Sequence, residues 1–461
     1  MQNFLFTERI EPSKRQVLER IKDFSEIYEI FDGNEGASQS ERCIQCGDPF
    51  CMNKCPLHNY IPQWLKSVSE KDLPLAFKLS NEPSPFPEVM GRVCPHDVLC
   101  EGDCTLNDGH GAITIGSIET HITEEGFRQG LKPEFPGVTT KRKVAVIGSG
   151  PAGMSVATYL LRAGIAVEMY ERAERAGGLL TYGIPNFKLD KNIVKRRISM
   201  LEDAGMKLHL NCEIGKDIGF DELAKSNDAI FIGIGATKAK QAKIAHENNK
   251  SVVASMEYLT AIQAKNFNLK YDKSLDVKDM NVVVVGGGDT AMDCVRTAIR
   301  EGAKSVKCLY RRDAVNMPGS KKEYKNAVEE GGEFIFYASP KEISLDENEK
   351  VNAIVMTKTT LSDKDESGRS RVEEVKGSHF RVDADIVIMA LGFNPEVPSF
   401  LAENGIETNK WGGVVVDDDS FQTSTSGIYA GGDCYRGADL VVRAAYDGRE
   451  AARAIIKSLT K

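Results

Sequence analysis

KVAVIGSGPAG (143–153) and NVVVVGGGDTA (281–291) are the two stretches that decide the fold of this chain. Each runs from a short apolar segment into a glycine-rich turn that opens a helical pattern. An apolar run that ends in glycines is typical of a buried parallel strand leading into a helix. Because the pattern occurs twice, 138 positions apart, the sequence predicts an α/β fold with two Rossmann-like dinucleotide-binding domains.

The first glycine turn has the spacing of a dinucleotide site. GxGxxG permits a tight turn, brings backbone N–H groups close to a pyrophosphate and packs helix against sheet. The predicted contacts in this turn are Gly148, Gly150, Pro151, Ala152 and Gly153. Glu171 ends the next apolar strand, where a carboxylate accepts hydrogen bonds from a ribose. The alternative is a structural glycine turn with a surface glutamate.

Two later segments favour FAD in the first domain. GIYAGGDCYRGADLVVRAAYDGREAA (427–452) resembles the C-terminal flavin motif of flavoproteins with two dinucleotide domains, and GGLLTYGIPNFKLD (177–190) resembles a flavin-contacting segment of that family. The resemblance implies that Asp433 bonds the ribityl chain and that the following helix directs its N-terminus at the flavin. A helix N-terminus stabilises negative charge. Gly178, Leu179 and Gly432 are the further predicted contacts.

The second glycine turn predicts an NADPH site. It reads GxGxxA, and its predicted contacts are Gly286, Gly288, Asp289, Thr290 and Ala291. The next strand, SVKCLYRRD, ends with Arg311 and Arg312 where an NAD-binding domain carries an acidic residue. Guanidinium groups bind a 2′-phosphate through charge-assisted, bidentate bonds, which favours NADPH over NADH. A solvated arginine pair is the alternative.

Cysteine usage points to metal rather than disulfides. Seven of the 11 cysteines lie between Cys43 and Cys104, and in a reducing compartment such a cluster predicts metal ligands. The spacing is Cys43-x2-Cys46-x4-Cys51-x3-Cys55-Pro56 and then Cys94-x5-Cys100-x3-Cys104. Thiolate runs of this kind suit [4Fe–4S] clusters. Structural zinc, which prefers four ligands in paired knuckles, fits the uneven spacing poorly.

A crossed ligand assignment follows, because the fourth cysteine of bacterial two-cluster runs serves the other cluster. We predict Cys43, Cys46, Cys51 and Cys104 for one cluster and Cys55, Cys94 and Cys100 for the second. Glu119 is the candidate for the missing eighth ligand; the alternative is a solvated helix residue. His58 and His96 are interpreted as polar loop residues rather than ligands.

The remaining cysteines do not supply a second redox centre. Disulfide reductases with two dinucleotide domains carry a CxxC or CxxxxC pair beside the flavin, and this sequence has no such pair after Cys104. Cys212, Cys294, Cys308 and Cys434 stand singly and are interpreted as small core residues. Electrons must therefore leave the flavin through the cysteine-rich N-terminal region.

Length, charge and hydropathy limit the possible partners, the location and the number of domains. The chain has 461 residues and a net charge of −8, which argues against a nucleic-acid partner. We expect no membrane span and no secretory signal, and we predict a cytoplasmic location. The predicted domains are a mostly helical iron–sulfur domain (1–140), an FAD-binding domain in two parts (141–262 and 395–461) and an NADPH-binding domain (263–394).

Taken together, these motifs resemble one family along nearly the whole chain. The family is that of the small (beta) subunits of bacterial NADPH-dependent glutamate synthase. The similar segments are CIQCGDPFCMNKCPLHNYIPQWL, GRVCPHDVLCEGDCTLND, GGGDTAMDCVRT and YRRDAVNMPGSKKE. The resemblance implies NADPH oxidation and electron supply to a large (alpha) subunit, which forms glutamate from glutamine and 2-oxoglutarate. The N-terminal half of dihydropyrimidine dehydrogenase has a similar layout, including crossed ligation and a polar ligand at the position of Glu119.

The sequence also limits what this chain does alone. Met1-Gln2-Asn3 offers no cysteine nucleophile of the amidotransferase kind, and the two nucleotide domains leave no room for an FMN barrel. We therefore expect glutamate formation in a partner. Hydride transfer from NADPH to FAD needs no acid–base side chain, so no catalytic residue is predicted. Two rival functions stay open: an electron-input subunit of a pyrimidine reductase or transhydrogenase, and a zinc-stabilised flavin-binding regulator.

Overall fold

The N-terminal third folds into short helices around an apolar core. The computed structural model describes residues 3–364 and 370–460. The helices of this part are α1 Val17–Arg20, α2 Gly33–Glu41, α3 Phe50–Lys54, α4 Ile61–Ser69, α5 Leu73–Asn81, α6 Pro87–Val93 and α7 Ile115–Arg128. Trp64 of α4 is fully buried and shares a core with Phe77 of α5 and Ile118 of α7. Cys43, Cys51 and other thiols pack against this core.

Strands and helices alternate after residue 142. The first set is β1 Lys143–Ile147, α8 Pro151–Arg162, β2 Ala166–Tyr170, α9 Leu179–Tyr182, α10 Lys191–Asp203, β3 Lys207–His209, α11 Phe220–Ser226, β4 Ala229–Ile232 and β5 Lys238–Ala239. The second set is β6 Val252–Ala254, α12 Ser255–Asn266, β7 Asn281–Val285, α13 Asp289–Arg300, β8 Ser305–Leu309, α14 Lys321–Glu329 and β9 Glu333–Ile335. The third set is β10 Ala338–Leu345, β11 Val351–Lys364, β12 Ser370–Asp383, β13 Ile386–Met389, β14 Phe393–Asn394, α15 Ser399–Glu403, β15 Ile428–Ala430, α16 Asp433–Arg436 and α17 Val441–Leu459.

Two five-stranded sheets form the centres of the two nucleotide-binding domains. The first has the order β15-β4-β1-β2-β3 and the second the order β6-β13-β7-β8-β9. All pairs in both sheets are parallel. Their central strands are apolar on both faces because helices cover both sides, as expected for parallel sheets. A separate antiparallel sheet, β10-β11-β12, is inserted between β9 and β13.

The chain crosses between the two domains through a two-stranded ribbon. β5 on the outward path pairs antiparallel with β14 on the return path, as Ala239 opposite Phe393 and Lys238 opposite Asn394. The predicted division at residue 262 falls inside α12. Because β6 already pairs with β13, the second sheet includes the chain from Val252, ten residues before that division. A three-residue strand carries too little periodicity to be recognised in sequence.

The C-terminal helix returns to the first domain and packs closely on α8. A Cβ at Gly448 of α17 would lie 2.2 Å from the Ala152 carbonyl oxygen, so the helices meet where only glycine fits. The Ser155 hydroxyl donates to the Ala445 carbonyl at 2.6 Å. Among the described residues, none of the helices has the length and apolarity needed to cross a membrane.

Candidate functional site

A cavity of about 1480 Å³ lies between the two nucleotide-binding domains and reaches the iron–sulfur domain. Of the residues predicted to bind nucleotides, its wall contains Gly148, Gly150, Pro151, Ala152, Glu171, Gly178, Leu179, Gly432, Asp433, Asp289 and Thr290. The other residues predicted to bind nucleotides do not line this cavity in the described part of the chain; they are Gly153, Gly286, Gly288, Ala291, Arg311 and Arg312. The first glycine turn and the start of α13, which follows the second glycine turn, therefore border one shared space, as expected at the carboxyl ends of parallel strands.

The first glycine turn is shaped by close backbone contacts. Gly148 has φ of +96°, and a Cβ there would lie 2.4 Å from the Gly233 carbonyl oxygen. A Cβ at Gly153 would lie 2.0 Å from the Gly148 carbonyl oxygen, so any larger residue would push α8 off β1. Gly150 faces open space just before α8 begins. The turn can therefore admit an anionic group against the start of α8.

Glu171 is buried, which removes the alternative of a surface glutamate. Its side chain lines the cavity, and only 7% of the residue is exposed. One carboxylate oxygen accepts from the Ser149 backbone N–H at 3.1 Å, and the other accepts from the Ala173 N–H at 2.9 Å. These bonds hold the carboxylate beside the first glycine turn.

The C-terminal segment closes the same end of the cavity. Gly432 has φ of +74°, and its N–H donates to the buried Asp447 carboxylate at 3.0 Å. Burial raises the pKa of Asp433 to about 7. The first turn of α17 lines the cavity through Val441 and Ala444, so a helix N-terminus faces this space. Asp447 was not predicted; its only sequence signal is an acidic residue on the buried face of an amphipathic helix.

The second glycine turn follows the same design. A Cβ at Gly286 would lie 2.4 Å from the Ala390 carbonyl oxygen, and Gly288 faces open space immediately before α13. Asp289 and Thr290 open α13 and line the cavity, while Ala291 is buried against the sheet. The Asp289 carboxylate accepts from the Ser320 N–H at 3.0 Å.

The two arginines after β8 have different surroundings. Arg311 is exposed, whereas Arg312 is half-buried and donates from Nη2 to the Ser370 carbonyl at 3.3 Å. The Arg311 carbonyl accepts from the Thr359 hydroxyl at 2.8 Å, which fixes the backbone of the pair against β11. The guanidinium of Arg311 is therefore the more accessible of the two.

Four predicted cluster ligands line one small cavity in the iron–sulfur domain. We call them the inner group: Cys55, Cys94, Cys100 and Glu119. Burial raises the pKa of Glu119 to about 8 and lifts those of the Cys94 and Cys100 thiols well above the usual value. Glu119 is not a solvated helix residue, because only 6% of it is exposed. Asn59, which was not predicted, donates to its carboxylate at 2.8 Å.

The other four thiols lie together nearer the surface. We call them the outer group: Cys43, Cys46, Cys51 and Cys104. Burial, together with the neighbouring thiols of Cys104 and Cys43, raises the pKa of Cys51 to about 12. The Cys46 sulfur lies 3.4 Å from the hydroxyl of Thr105, the residue after Cys104. Cys104 therefore lies near Cys43, Cys46 and Cys51, although it is far from them in the sequence, and this is the set that the crossed assignment predicts.

The inner group adjoins the main cavity. Cys94 and His96 line both cavities, and the successive residues Val441 and Val442 of α17 line one cavity each. His96 is therefore part of the partition, which its interpretation as a loop residue missed, whereas His58 is exposed. Of the four scattered cysteines, Cys294, Cys308 and Cys434 are buried in the cores of the nucleotide-binding domains, whereas Cys212 is half-buried and lines the main cavity.

Comparison with known proteins gives the family. The family model for dihydropyrimidine dehydrogenase domain II, 4Fe-4S cluster, matches residues 20–131, and that for pyridine nucleotide-disulphide oxidoreductases matches residues 142–448. The glutamate synthase [NADPH] small chain of Escherichia coli strain K12 is 44% identical over 99% of this chain and 98% of its own length. The chain belongs to the family of NADPH-dependent glutamate synthase small chains.

The chain is also similar to two proteins that are not named glutamate synthase. The putative oxidoreductase AegA of Escherichia coli strain K12 is also 44% identical, over 97% of this chain and 69% of its own length. FprA of Mycobacterium tuberculosis, in a complex with NADPH, superposes with a TM-score of 0.59 at 20% identity, covering 70% of this chain and 85% of FprA. The second likeness concerns the fold of the nucleotide-binding domains alone.

Family membership confirms several predictions made from the sequence. The fold class is confirmed, as is the interpretation of the chain as an NADPH-dependent oxidoreductase with FAD and [4Fe–4S] clusters. The zinc-stabilised regulator is wrong, because the N-terminal domain matches a 4Fe-4S family. The individual binding residues stay predictions, as does the cytoplasmic location.

The chemistry of the iron–sulfur domain fits clusters of this kind. Seven thiols and one carboxyl are gathered there, and burial raises the pKa of Cys94, Cys100 and Glu119. A cationic metal centre would offset the negative charge of such groups and make them favourable ligands. Within the described residues, no three His, Cys, Asp or Glu side chains meet the geometry of a single-ion site. Residues around the inner group also carry buried polar atoms without hydrogen-bond partners, namely Asn59 Oδ1, Trp64 Nε1, Ser84 Oγ and His96 Nε2.

Proposed function

We propose that this chain is the electron-input subunit of an NADPH-dependent glutamate synthase. Electrons enter from NADPH at the main cavity and leave through the iron–sulfur domain toward a large subunit. One observation carries the proposal: Cys94 lines both the main cavity and the cavity of the inner group. The flavin-side space and the first cluster position therefore share a wall, which suits electron transfer between them.

FAD is assigned to the first glycine turn and the surfaces that converge on it. The proposed FAD contacts are Gly148, Gly150, Pro151, Ala152, Gly153, Glu171, Gly178, Leu179, Gly432 and Asp433. The start of α8 suits the pyrophosphate, since the space beside Gly150, directly before the helix, is open and a helix N-terminus attracts an anion. Glu171 suits a ribose, and the N-terminus of α17 stabilises negative charge at the flavin end.

NADPH is assigned to the second glycine turn. The proposed contacts are Gly286, Gly288, Asp289, Thr290, Ala291, Arg311 and Arg312. Of the two arginines, Arg311 is the better candidate for the 2′-phosphate, because Arg312 already donates to the Ser370 carbonyl. An exposed guanidinium can turn to meet a phosphate in a bidentate manner.

The two thiol groups are assigned to two [4Fe–4S] clusters in series. The inner group would hold the cluster nearer the flavin, with Glu119 as its fourth ligand. The outer group would hold the second cluster, and it lies by Phe50, which is 53% exposed, at the surface. This order takes electrons from the domain interface to the protein surface, where a partner can accept them.

The protein's own role is to bind, orient and exclude water. FAD, when bound, accepts a hydride from NADPH and passes single electrons to the clusters. The chain holds the first glycine turn and the start of α13 at one cavity, which makes the encounter of the two cofactors a positioned reaction. Val441 and Val442 keep the wall between the cavities apolar.

The partner is tested by reconstitution. Purified chain, loaded with FAD, iron and sulfide, is mixed anaerobically with the large chain of a glutamate synthase, NADPH, glutamine and 2-oxoglutarate. We expect the two chains to copurify and glutamate to form at the expense of NADPH. Flavin reduction without association or glutamate formation would refute the large subunit as partner.

A second candidate function rests on the likeness to AegA. That protein is as similar to this chain as the glutamate synthase small chain of the same organism. The same electron-input unit could therefore serve a different oxidoreductase. A capture experiment with the tagged chain in its own cell extract decides between them, since recovery of a glutamine-cleaving large chain supports glutamate synthase.

A further inference from the structure

Helix α14 of the NADPH-binding domain is held at both ends by the iron–sulfur domain. At its start, Asp97 accepts from the Lys321 N–H at 3.2 Å and from the Ser320 hydroxyl at 3.4 Å. At its end, Lys14 donates to the Glu329 carboxylate at 2.8 Å. In the middle, the Tyr28 hydroxyl bonds the Asn326 side chain at 3.0 Å. We call residues 14–28 together with Asp97 the brace.

The strongest contact of the brace is a buried carboxylate shared by three guanidinium groups. Arg20 of the brace donates to Glu330 at 2.9 Å, and both side chains are at most 1% exposed. Arg296 and Arg300 of α13 donate to the same carboxylate at 2.9 and 2.6 Å. Arg300 also donates to the Asp23 carbonyl of the brace at 3.1 Å.

The flavin-binding domain takes part in the same junction. Two guanidinium groups lie over the Phe187 ring, with Arg296 at 4.3 Å and Arg300 at 4.0 Å from its centroid. The neighbouring Lys188 bridges to Asp293 of α13 at 2.9 Å. Three domains therefore meet at one face of α13, which carries Asp289, Asp293, Arg296 and Arg300 at helical spacing.

This face of α13 is connected directly to the proposed nucleotide site. α13 begins directly after Gly288 of the second glycine turn, so the direction of the helix sets where the turn presents a bound nucleotide. Asp289 accepts from the Ser320 N–H, and Ser320 in turn bonds Asp97. The brace thus contacts α13 directly, through Asp23 and Arg300, and also contacts Ser320, which holds Asp289 in the first turn of α13.

We propose that the brace positions the NADPH-binding domain so that the nicotinamide is held in one orientation toward the flavin, with Arg20 and Asp97 as positioning residues. This proposal rests on the proposed NADPH-to-FAD reaction. Rotation of the domain would separate Arg20 from Glu330 and Phe187 from its two arginines, leaving buried charges without partners. The structure satisfies all these groups in the arrangement in which the first glycine turn and the start of α13 face one cavity.

The test is anaerobic stopped-flow reduction of the flavin by NADPH in the full cofactor-loaded chain. We expect Arg20→Met to lower the limiting rate at saturating NADPH by about tenfold to a hundredfold, because small misplacements cost rates of this size. The NADPH concentration at half-maximal rate should change less than twofold, since the nucleotide contacts are intact. Backbone hydrogen exchange in α14 and in residues 14–28 should rise.

Lys265→Met is the matched control. Lys265 bridges Asp276 and Glu301 within the NADPH-binding domain, so its loss removes ion pairs without touching another domain. It should leave the limiting rate and the exchange of residues 14–28 unchanged. Asp97→Ala, which acts at the other end of α14, should lower the limiting rate as Arg20→Met does. It replaces Arg20→Met in the test if that variant does not fold.

Three outcomes would overturn the brace. One is an unchanged limiting rate in the brace variants despite faster hydrogen exchange. Another is an equal loss in Lys265→Met, and the third is a raised half-saturating concentration with the limiting rate kept. If the unaltered chain is not reduced by NADPH, the proposed function fails and the brace fails with it, whereas equal reduction of unaltered and variant chains refutes the brace alone.

Discussion

The inner and outer thiol groups come from the same cysteine-rich stretch but have different surroundings. The inner group is enclosed by Trp64, Leu99 and Val442 and borders the main cavity through Cys94. In the outer group, the contact between Cys46 and Thr105 is exposed. The crossed spacing therefore places one set of predicted ligands against the main cavity and the other set near the surface.

Loss of Cys94 should have the largest effect, because this residue belongs to both cavities. In Cys94→Ala we expect the inner cluster to be lost and glutamate formation with the large chain to fall to background. NADPH should still reduce the flavin, since the glycine turns are unchanged. Iron content, flavin bleaching and glutamate formation are measured on the same preparation.

Cys294→Ala is the control for that prediction. Cys294 is fully buried in the core of the NADPH-binding domain, so its loss tests removal of a buried thiol as such. It should keep iron content and glutamate formation. Normal glutamate formation in Cys94→Ala would show that electrons do not pass the inner group.

Loss of Cys104 should stop electron transfer at the outer cluster, one step after the inner cluster. In Cys104→Ala we expect about half of the iron to be lost, as only the outer cluster loses a ligand. Flavin reduction and the paramagnetic resonance signal of the inner cluster should persist while glutamate formation stops. Loss of the inner signal instead would contradict the assignment of Cys104 to the outer group.

Replacement of Glu119 should change the inner cluster alone. Glu119→Gln removes the charged ligand, and we expect a shifted resonance signal of the inner cluster with partial loss of glutamate formation. Glu119→Cys should keep the iron and give a cluster with four thiolate ligands. Glu125→Gln, on the exposed side of the same helix, is the control. Identical spectra in all three variants would remove Glu119 from the ligand set.

Loss of Arg449 should have the smallest effect, on stability rather than electron transfer. This buried side chain of α17 donates to the Leu57 carbonyl at 2.8 Å and to the Pro83 carbonyl at 3.1 Å. Arg449→Met leaves both carbonyls without this donor, which costs about 1–3 kcal/mol for a buried group. Thermal unfolding should shift downward, and Arg453→Met, at an exposed position of the same helix, should not shift it.

Much of the site could be predicted because it depends on local patterns. The two glycine turns were recognisable, since each needs a fixed order of strand, glycine and helix within a dozen residues. The crossed groups of thiols could also be stated, and the predicted sets lie together in the structure, although ligation itself stays a prediction. Arg311 and Arg312 were indistinguishable in sequence, because the contact with Ser370 that separates them comes from a distant hairpin.

Spacing along the amino-acid sequence was enough to predict the two nucleotide-binding domains, the iron–sulfur domain and the family, because it encodes turns and thiol clusters directly. The folded structure was needed to show which thiol group borders the main cavity, where the second sheet begins, and that Arg20 and Glu330, 310 residues apart, share one buried junction. The physical reason is that packing brings together groups whose separation in sequence carries no periodic signal, and burial then sets how strongly they interact.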